Sequence, residues 1–344
     1  MEQINVCIRA DGSSKIGMGH LMRTLSIAIA LKEKQINVFY ITKETESKIF
    51  VEEKGFPCYQ VPRIEDDIST ELDETIRFIR EHNIRLLLVD TYEATPEYLG
   101  ILNEIVPVFY LDDLGRMDLP ISGLINYNVY GNEMGYEKAY GLGVKLLLGS
   151  RYAPVKPQFL ETPFKVRESV KNVLITMGGS DALNITGRLS EMLLETMPKS
   201  VSITAICGRF NPNLKNLEAL AQKETRLKVL TDVPDMWNKM AESDLCIASA
   251  SSTMYELSTI GLPTVCCYYV ENQRRIAEGY HNLGLCNAGD FSKDPDGVLR
   301  KMEVEVYKLF DNREKREVLS TKMKNICDGL GAKHLVDEIL TFLQ

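Results

Sequence analysis

The chain has 344 residues, an apolar share of 44% and a formal net charge of −8. That length exceeds one ordinary doubly wound domain and suits two, with enough apolar residues for a real core. The acidic balance argues against nucleic acid as a partner, because holding a phosphate backbone takes a basic surface; no apolar run reaches the ~18 residues of a membrane span.

The first element is a short apolar strand, Ile4 to Ile8. It runs through Asp11-Gly12-Ser13-Ser14-Lys15-Ile16-Gly17-Met18-Gly19-His20-Leu21-Met22-Arg23 into a helix that starts near Leu21, with Leu21, Leu25 and Ile29 on one face. Gly17 and Gly19 let the backbone turn sharply and approach a ligand. The helix start offers unpaired N–H groups and a partial positive charge, which suit a diphosphate. His20 stands at the carboxyl edge of the strand, where open α/β sheets bind ligands. The spacing is not the Gly-x-Gly-x-x-Gly dinucleotide fingerprint, and a histidine here can simply cap the helix, so the stretch alone leaves both readings open.

Strand Asn37 to Thr42 follows, then helix Ile49 to Lys54, short strand Cys58 to Val61 and helix Leu72 to His82. Strand Leu86 to Val89 ends in Asp90-Thr91-Tyr92. Pro96 opens a helix, strand Val108 to Leu111 ends in Asp112-Asp113, and Ile121 to Asn126 reads as the last strand of this half. Short β-branched or leucine-rich runs alternating with amphipathic helices predict a parallel sheet. Residues Val129 to Thr162, rich in glycine, tyrosine and proline, lose that rhythm and read as the crossover between domains.

The alternation restarts at strand Val173 to Thr176, followed by Met177-Gly178-Gly179-Ser180-Asp181 and a helix to about Glu195. Strands Val201 to Ile206, Leu227 to Leu230, Leu245 to Ala248 and Thr264 to Tyr269 alternate with helices Asn213 to Lys223, from Pro234, Met254 to Ile260 and from Asn272 to near Gly284. Three helical stretches follow from Asp294, broken at Asp311-Asn312 and Gly329-Leu330-Gly331. They read as scaffold.

The turn Gly178-Gly179-Ser180-Asp181 offers amides and a hydroxyl to a phosphate; the plainer alternative is a tight βα turn with Asp181 as helix cap. In Ala248-Ser249-Ala250-Ser251-Ser252-Thr253-Met254-Tyr255-Glu256, small residues admit a ligand, hydroxyls suit phosphate oxygens, and Glu256 falls one helical turn beyond Ser252, where a carboxylate can accept both ribose hydroxyls. Its plainer alternative is Ser/Thr capping with Glu256 in a capping box. Eight cysteines are scattered without a Cys-x-x-Cys pair, which fits free buried thiols in a reducing cytoplasm. No signal-peptide pattern opens the chain, so a cytoplasmic location is expected. The four histidines suggest no zinc motif.

Taken together, these turns resemble the GT-B superfold, two Rossmann-like α/β domains facing across a cleft. Ile16-Gly17-Met18-Gly19-His20, Gly178 to Asp181, Ala248 to Glu256 and Tyr269-Val270-Glu271-Asn272-Gln273 are similar to the motifs of the UDP-sugar hydrolases of pseudaminic acid biosynthesis, a route of flagellin modification, and of the related spore coat polysaccharide proteins. The resemblance spans roughly residues 9 to 273. It implies removal of UDP from a UDP-linked diacetamido-trideoxy sugar, with His20 catalytic; no cofactor is expected, and no metal either, since no metal cluster is visible in the sequence and positioned dipoles can serve the diphosphate. It implies substrate-binding positions at Arg9, Gly17, Gly19, Tyr92, Gly178, Gly179, Ser180, Asp181, Ala250, Ser251, Ser252, Glu256, Asn272 and Gln273. Lys156 and Gln158 stand where the family usually has arginine and glutamate; lysine lacks the bidentate fork, so sugar or phosphate contacts there can differ. The expected division is an N-terminal Rossmann-like domain over 1–150, a UDP-binding domain over 151–290 and a helical extension over 291–344. Rival readings are a GT-B glycosyltransferase of the MurG type, a sugar-nucleotide epimerase and a non-catalytic sugar-nucleotide binder. Asp112-Asp113 could hold a cation, but a carboxylate pair at a strand end more often takes substrate hydroxyls or nearby amides.

Overall fold

The structure, a computed structural model, describes residues 4–12, 18–64, 67–179, 181–208 and 211–344. The chain forms two compact units, Met1–Val155 with Leu330–Gln344, and Lys156–Gly329.

The first unit holds a seven-stranded sheet: β1 (Asn5–Ala10), β2 (Asn37–Thr42), β3 (Cys58–Gln60), β4 (Ile84–Asp90), β5 (Val108–Leu111), β6 (Gly123–Asn126) and β7 (Lys145–Leu148), in spatial order β3-β2-β1-β4-β5-β6-β7. All pairings are parallel. Its connecting helices are α1 (Gly19–Glu33), α2 (Thr45–Glu53), α3 (Leu72–Glu81), α4 (Pro96–Asn103) and α5 (Tyr136–Tyr140). β4 shows why the alternation was readable. Six of its seven residues are buried and only Arg85 is exposed, so the strand is covered on both faces and reads as an apolar run. α4 starts where its chemistry dictates: the Thr95 hydroxyl accepts from the Tyr98 amide, and Pro96 occupies the first turn.

The second unit repeats the plan with β8 (Asn172–Thr176), β9 (Ser202–Cys207), β10 (Leu227–Thr231), β11 (Leu245–Ser249), β12 (Thr264–Tyr268) and β13 (Cys286–Asp290), in order β10-β9-β8-β11-β12-β13 and again parallel. Its helices are α6 (Pro157–Glu161), α7 (Ile185–Thr196), α8 (Leu214–Lys223), α9 (Met236–Glu242), α10 (Thr253–Ile260), α11 (Glu271–Asn282), α12 (Pro295–Phe310) and α13 (Arg313–Ile326). In each sheet the strand order reverses direction once, between β1 and β4 and between β8 and β11. In doubly wound sheets the carboxyl edge at such a reversal is where ligands bind.

Two strands go beyond the sequence reading. β7 lies inside the stretch expected to be crossover, paired in register with β6 from Gly123↔Lys145 to Asn126↔Leu148. β13 reads Cys-Asn-Ala-Gly-Asp, mostly poor strand formers. Both are edge strands; β7 is a leucine run (Lys-Leu-Leu-Leu) inside the glycine- and tyrosine-rich stretch, whereas β13 is set by its neighbour's unpaired backbone rather than by its own pattern.

The C-terminal stretch is not a separate extension. Val298, Met302 and Val306 of α12 and Met323 of α13 are buried in the second unit, and the buried Arg316 guanidinium donates to the carbonyls of Leu309, Phe310, Arg167 and Glu168. The last helix, α14 (Gly331–Leu343), instead packs on α1 in the first unit, with Leu335, Val336 and Ile339 fully buried. Gly331 lies so close to the Ala153 backbone that a Cβ would collide with it. The unit boundary therefore falls at Val155, and the last helix returns across it. Among the described residues no helix is long and apolar enough to cross a membrane, and all eight cysteines are free, seven of them buried.

Because α14 closes the first unit's core, Leu335→Ala is expected to cost about 2–5 kcal/mol, the range for emptying a buried leucine site. Urea denaturation of the full chain measures this, and an unshifted midpoint would mean that the helix is dispensable.

Candidate active site

The β1/β4 reversal brings two distant pieces of chain together. Ala10 pairs with Asp90 at the ends of the two strands, so the Asp90 side chain meets the start of α1. His20 Nδ1 lies 2.7 Å from Asp90 Oδ1 and 3.2 Å from its carbonyl. Arg23, one helical turn on, donates through Nε to Asp90 Oδ2 at 2.7 Å and through Nη2 to Oδ1. Arg23 Nη1 also reaches Asp113 Oδ2 at 3.0 Å and the Tyr127 hydroxyl at 3.1 Å. The Tyr92 hydroxyl donates to the same Asp113 oxygen at 2.9 Å, and its ring meets the His20 imidazole edge-on, centroids 4.7 Å apart.

The electrostatics follow from burial and pairing. Burial pushes the Asp90 carboxyl up, but the Arg23 and His20 charges outweigh it and hold the group down at about 2. Burial pulls His20 down, and the Asp90 carboxylate more than offsets it, so the imidazole lies above its ordinary 6.5. An ionised carboxylate can only accept, so Nδ1 carries the proton and Nε2 of the neutral ring holds the lone pair. Nε2 has no hydrogen-bond partner among the described residues. The His20 side chain is 16% exposed and Tyr92 is 43% exposed, so this end of the network meets solvent. A histidine held by a carboxylate with its other nitrogen open is the arrangement of a general base.

The other positions expected in the first unit fall differently. Arg9 is fully buried and is spent within the protein: Nε and Nη2 bind Glu71 at 2.6 and 2.9 Å, and Nη1 binds Asp11. That placement corrects the expectation of a substrate contact and makes Arg9 the brace of the β1 end. Asp11 also accepts from the Thr42 hydroxyl and the Lys43 amide, and the Ser47 hydroxyl both receives from the Gly12 amide and donates to its carbonyl. Gly19 opens α1 with nothing within 4 Å of where a Cβ would stand, which leaves room beside His20. Gly17 lies outside the described residues. Asp112 is buried and accepts from the Leu114 and Arg116 amides and the Tyr136 hydroxyl, so it serves nearby amides as the plainer reading had it. Among the described residues no group of three or more His, Cys, Asp or Glu is placed to hold a metal.

In the second unit the corresponding edge lies at β8 and β11. The loop after β8 takes left-handed backbone at Gly178 (φ 85°), Asp181 (φ 39°) and Asn184 (φ 54°). The Asp181 carboxylate is buried and accepts from the amides of Ile185 and Thr186 at 2.8 and 2.9 Å. It therefore caps α7, as its plainer alternative supposed. Gly179 is exposed, and Ser180 lies outside the described residues. Ala250 is buried with its amide on the Cys267 carbonyl at 2.8 Å. Ser251 is half-buried and Ser252 exposed. Ser252 precedes α10 but makes no side-chain capping bond, so the capping box does not form and the first amides of α10 keep no side-chain cap. Glu256 is half-buried; burial pushes its carboxyl up to about 7 against the opposing pull of Lys156. Asn272 is exposed on the first turn of α11. Gln273 is buried and accepts from the Tyr269 amide at 3.1 Å, while the Tyr269 hydroxyl donates to the Met177 carbonyl at 2.7 Å. Tyr269 thus ties the loop after β12 to the loop after β8, and Gln273 holds its amide.

Sequence reasoning assigns no role to Asp90 or Arg23, and reads Asp113 only as half of a carboxylate pair for a cation, substrate hydroxyls or nearby amides. One signal was present: His20 and Arg23 lie three apart on a helix and share a face. The carboxylate between them could be named only once β1 and β4 were known to be neighbours.

No family model matches the chain. It is 28% identical over 279 residues to the UDP-2,4-diacetamido-2,4,6-trideoxy-beta-L-altropyranose hydrolase of Campylobacter jejuni, covering 80% of this chain and 95% of that protein. It is 22% identical over 287 residues to the spore coat polysaccharide biosynthesis protein SpsG of Bacillus subtilis, covering 82% of each. It is 26% identical over 290 residues to the uncharacterized protein MJ1062 of Methanocaldococcus jannaschii, and spans 58% of that relative's length. Among solved structures, MurG of Acinetobacter baumannii superposes with a TM-score of 0.70 at 16% identity, covering 98% of this chain and 99% of that one. Anabaena Alr3699/HepE, in complex with UDP and glucose, gives 0.62 at 14%, covering 98% and 100%. The chain has the GT-B fold. Within that fold it resembles the C. jejuni hydrolase and the spore coat protein in sequence, while MurG shares its architecture.

The raised Glu256 carboxyl fixes the sign of a pH effect. A carboxyl held above its unfolded value of 4.5 favours folding while protonated, and that contribution is lost as pH rises through about 7. Glu256→Gln is therefore expected to be more stable than the parent at about pH 8, with the difference vanishing below the unfolded value. Thermal denaturation across pH checks it, and an equal melting temperature at every pH would show that the carboxyl is not desolvated.

Proposed function

We propose that this protein hydrolyses a UDP-linked diacetamido-trideoxy sugar, releasing UDP and the free sugar, with His20 as the general base. The observation that carries the proposal is the His20–Asp90 pair at the β1/β4 reversal, with Nε2 unpartnered among the described residues. Nε2 takes a proton from water, the water oxygen bonds to the anomeric carbon, and the anomeric C–O bond breaks with its electron pair leaving on UDP. UDP is a good leaving group, so the base is the group the reaction most needs. Asp90 fixes the tautomer and stabilises the imidazolium that forms. Tyr92, beside the imidazole, and the exposed Asn272 are assigned to orienting the sugar.

The second unit is assigned the nucleotide. The start of α10, with the Ser251 and Ser252 hydroxyls and no side-chain cap, together with the amides around Gly178 and Gly179, suits the charge growing on the diphosphate. Glu256 is assigned to the ribose hydroxyls. A single base implies one displacement with inversion, because a retaining route needs a second nucleophile such as a paired carboxylate. No metal is required in this scheme, since backbone dipoles can carry the diphosphate. The reading draws on the C. jejuni relative for the sugar. The architecture shared with MurG supports a second reading, in which a sugar or lipid hydroxyl replaces water.

Incubation with a panel of UDP-amino sugars without acceptor separates these readings. Hydrolysis yields UDP and free sugar, whereas a transferase leaves the substrate intact until an acceptor is added. In ¹⁸O-water the label should enter the sugar; label in UDP means attack at phosphorus and removes His20 from the mechanism. Activity abolished by EDTA and restored by Mg²⁺ would overturn the metal-free scheme.

His20→Asn should lower kcat by about 10²–10⁴-fold, the usual contribution of a general base, with UDP affinity nearly unchanged. Because the His20 imidazole lies above 6.5 and must be neutral to act, kcat/KM should fall on the acid side through a midpoint above that value. Glu256→Ala should weaken UDP binding by about 1–3 kcal/mol by calorimetry; unchanged affinity would remove its ribose role.

A further inference from the structure

The general-base reading leaves Arg23 and Asp113 without a task, yet both belong to the network that ends on His20. Arg23 divides its guanidinium between two carboxylates at the ends of neighbouring strands: Nε and Nη2 on Asp90, Nη1 on Asp113. The Asp90 oxygen that faces His20 Nδ1 is the one Arg23 Nη2 also binds. Asp113 in turn holds the Tyr92 hydroxyl, whose ring abuts the imidazole. We propose that Arg23 and Asp113 are an opposed pair of positioning residues for His20: Arg23 draws the Asp90 carboxylate away from the imidazole, and Asp113 anchors Arg23 and restores part of the negative charge.

The charges give this pair its meaning. Asp90, Asp113 and Arg23 sum to −1 while His20 is neutral, and the cluster reaches zero when the imidazole gains its proton. Proton uptake from a bound water is thus favoured at the moment the chemistry needs it. Without Arg23 the two carboxylates would raise the imidazole's proton affinity further and leave less neutral base. Without Asp113 that affinity would fall. The groups facing His20 among the described residues act with these signs: Asp90 and Asp113 raise its proton affinity, and Arg23 and burial lower it. Tyr127 touches the cluster through Arg23, and Tyr92 stays protonated because burial and Asp113 both push its hydroxyl up.

The role assigned to the pair rests on the general-base reading, but it can be tested without substrate. The His20 Cε1–H resonance, identified by its loss in His20→Asn, is followed against pH in the full chain, which has only four histidines. Arg23→Gln should move the His20 midpoint up, and Asp113→Asn should move it down, each by about one pH unit, a shift typical of a neighbouring charge. Arg23→Lys, which keeps the charge, should return the midpoint to near the parent value. Residues that merely support the fold would move the midpoint in the same direction or not at all, and either result overturns the proposal. If Arg23→Gln does not fold, Asp113→Asn and Arg23→Lys decide it alone: an Asp113→Asn midpoint that stays or rises, or an Arg23→Lys midpoint displaced upward, rejects it. Opposite shifts in a protein that releases no UDP from any UDP-amino sugar would keep the pair and refute the hydrolase reading. The same shifts in the acid limb of kcat/KM would support both.

Discussion

The first unit's site depends on one buried carboxylate. Asp90 is fully buried at the end of β4, where an unpaired charge would cost several kcal/mol. It is tolerated because Arg23 binds both its oxygens and His20 binds one. Both partners come from the first two turns of α1, so the cost of the buried charge fixes where that helix begins and which way its imidazole faces. The requirement runs both ways: α1 sits where it does because Asp90 needs it, and Asp90 is ionised because α1 is there.

The two units use one topology for opposite electrostatic ends. At the β1/β4 reversal the described side chains are ionisable, and they form a network of alternating charge. At the β8/β11 reversal the described residues are mostly glycine, alanine and serine, Asp181 is spent on capping α7, and the Ala250 and Ser251 amides already donate to the Cys267 and Ser249 carbonyls. Charged side chains suit proton transfer, where a lone pair must be aimed and its basicity set. Fixed backbone dipoles suit an anion that is already charged and needs only to be surrounded. Glu256 is the exception in the second unit, a carboxyl pushed up by burial with Lys156 as the opposing charge.

Similar residues at strand ends also proved to have different tasks. Arg9 and Arg23 are both guanidiniums shared between two carboxylates. Arg9 lies wholly inside the core between Asp11 and Glu71, with the Tyr98 hydroxyl also on Glu71, and so locks the β1 end to the segment before α3. Arg23 stands beside a partly exposed histidine. Asp181 and Ser252 divide in the same manner. Asp181 spends its carboxylate on the first amides of α7, whereas Ser252 leaves those of α10 uncapped by a side chain.

The sequence by itself determined the doubly wound α/β class, most strands of both sheets and the place of the glycine-histidine turn. Those features rest on local patterns: buried parallel strands must be apolar runs, helices must carry a stripe, and a turn at a strand's carboxyl edge takes small residues. The GT-B assignment came from ordered motifs of the same local kind. Tertiary structure alone decided what depends on neighbours far apart in the chain. β13 became a strand because an adjacent strand offered an unpaired edge. α14 joined the first unit because its buried stripe matches α1. Arg9 became a core brace because Glu71 reaches it from 62 residues away, and Asp90 became the partner of His20 across 70 residues of sequence. A charge writes no periodic pattern into the chain; its partner is set by which strands the fold makes neighbours.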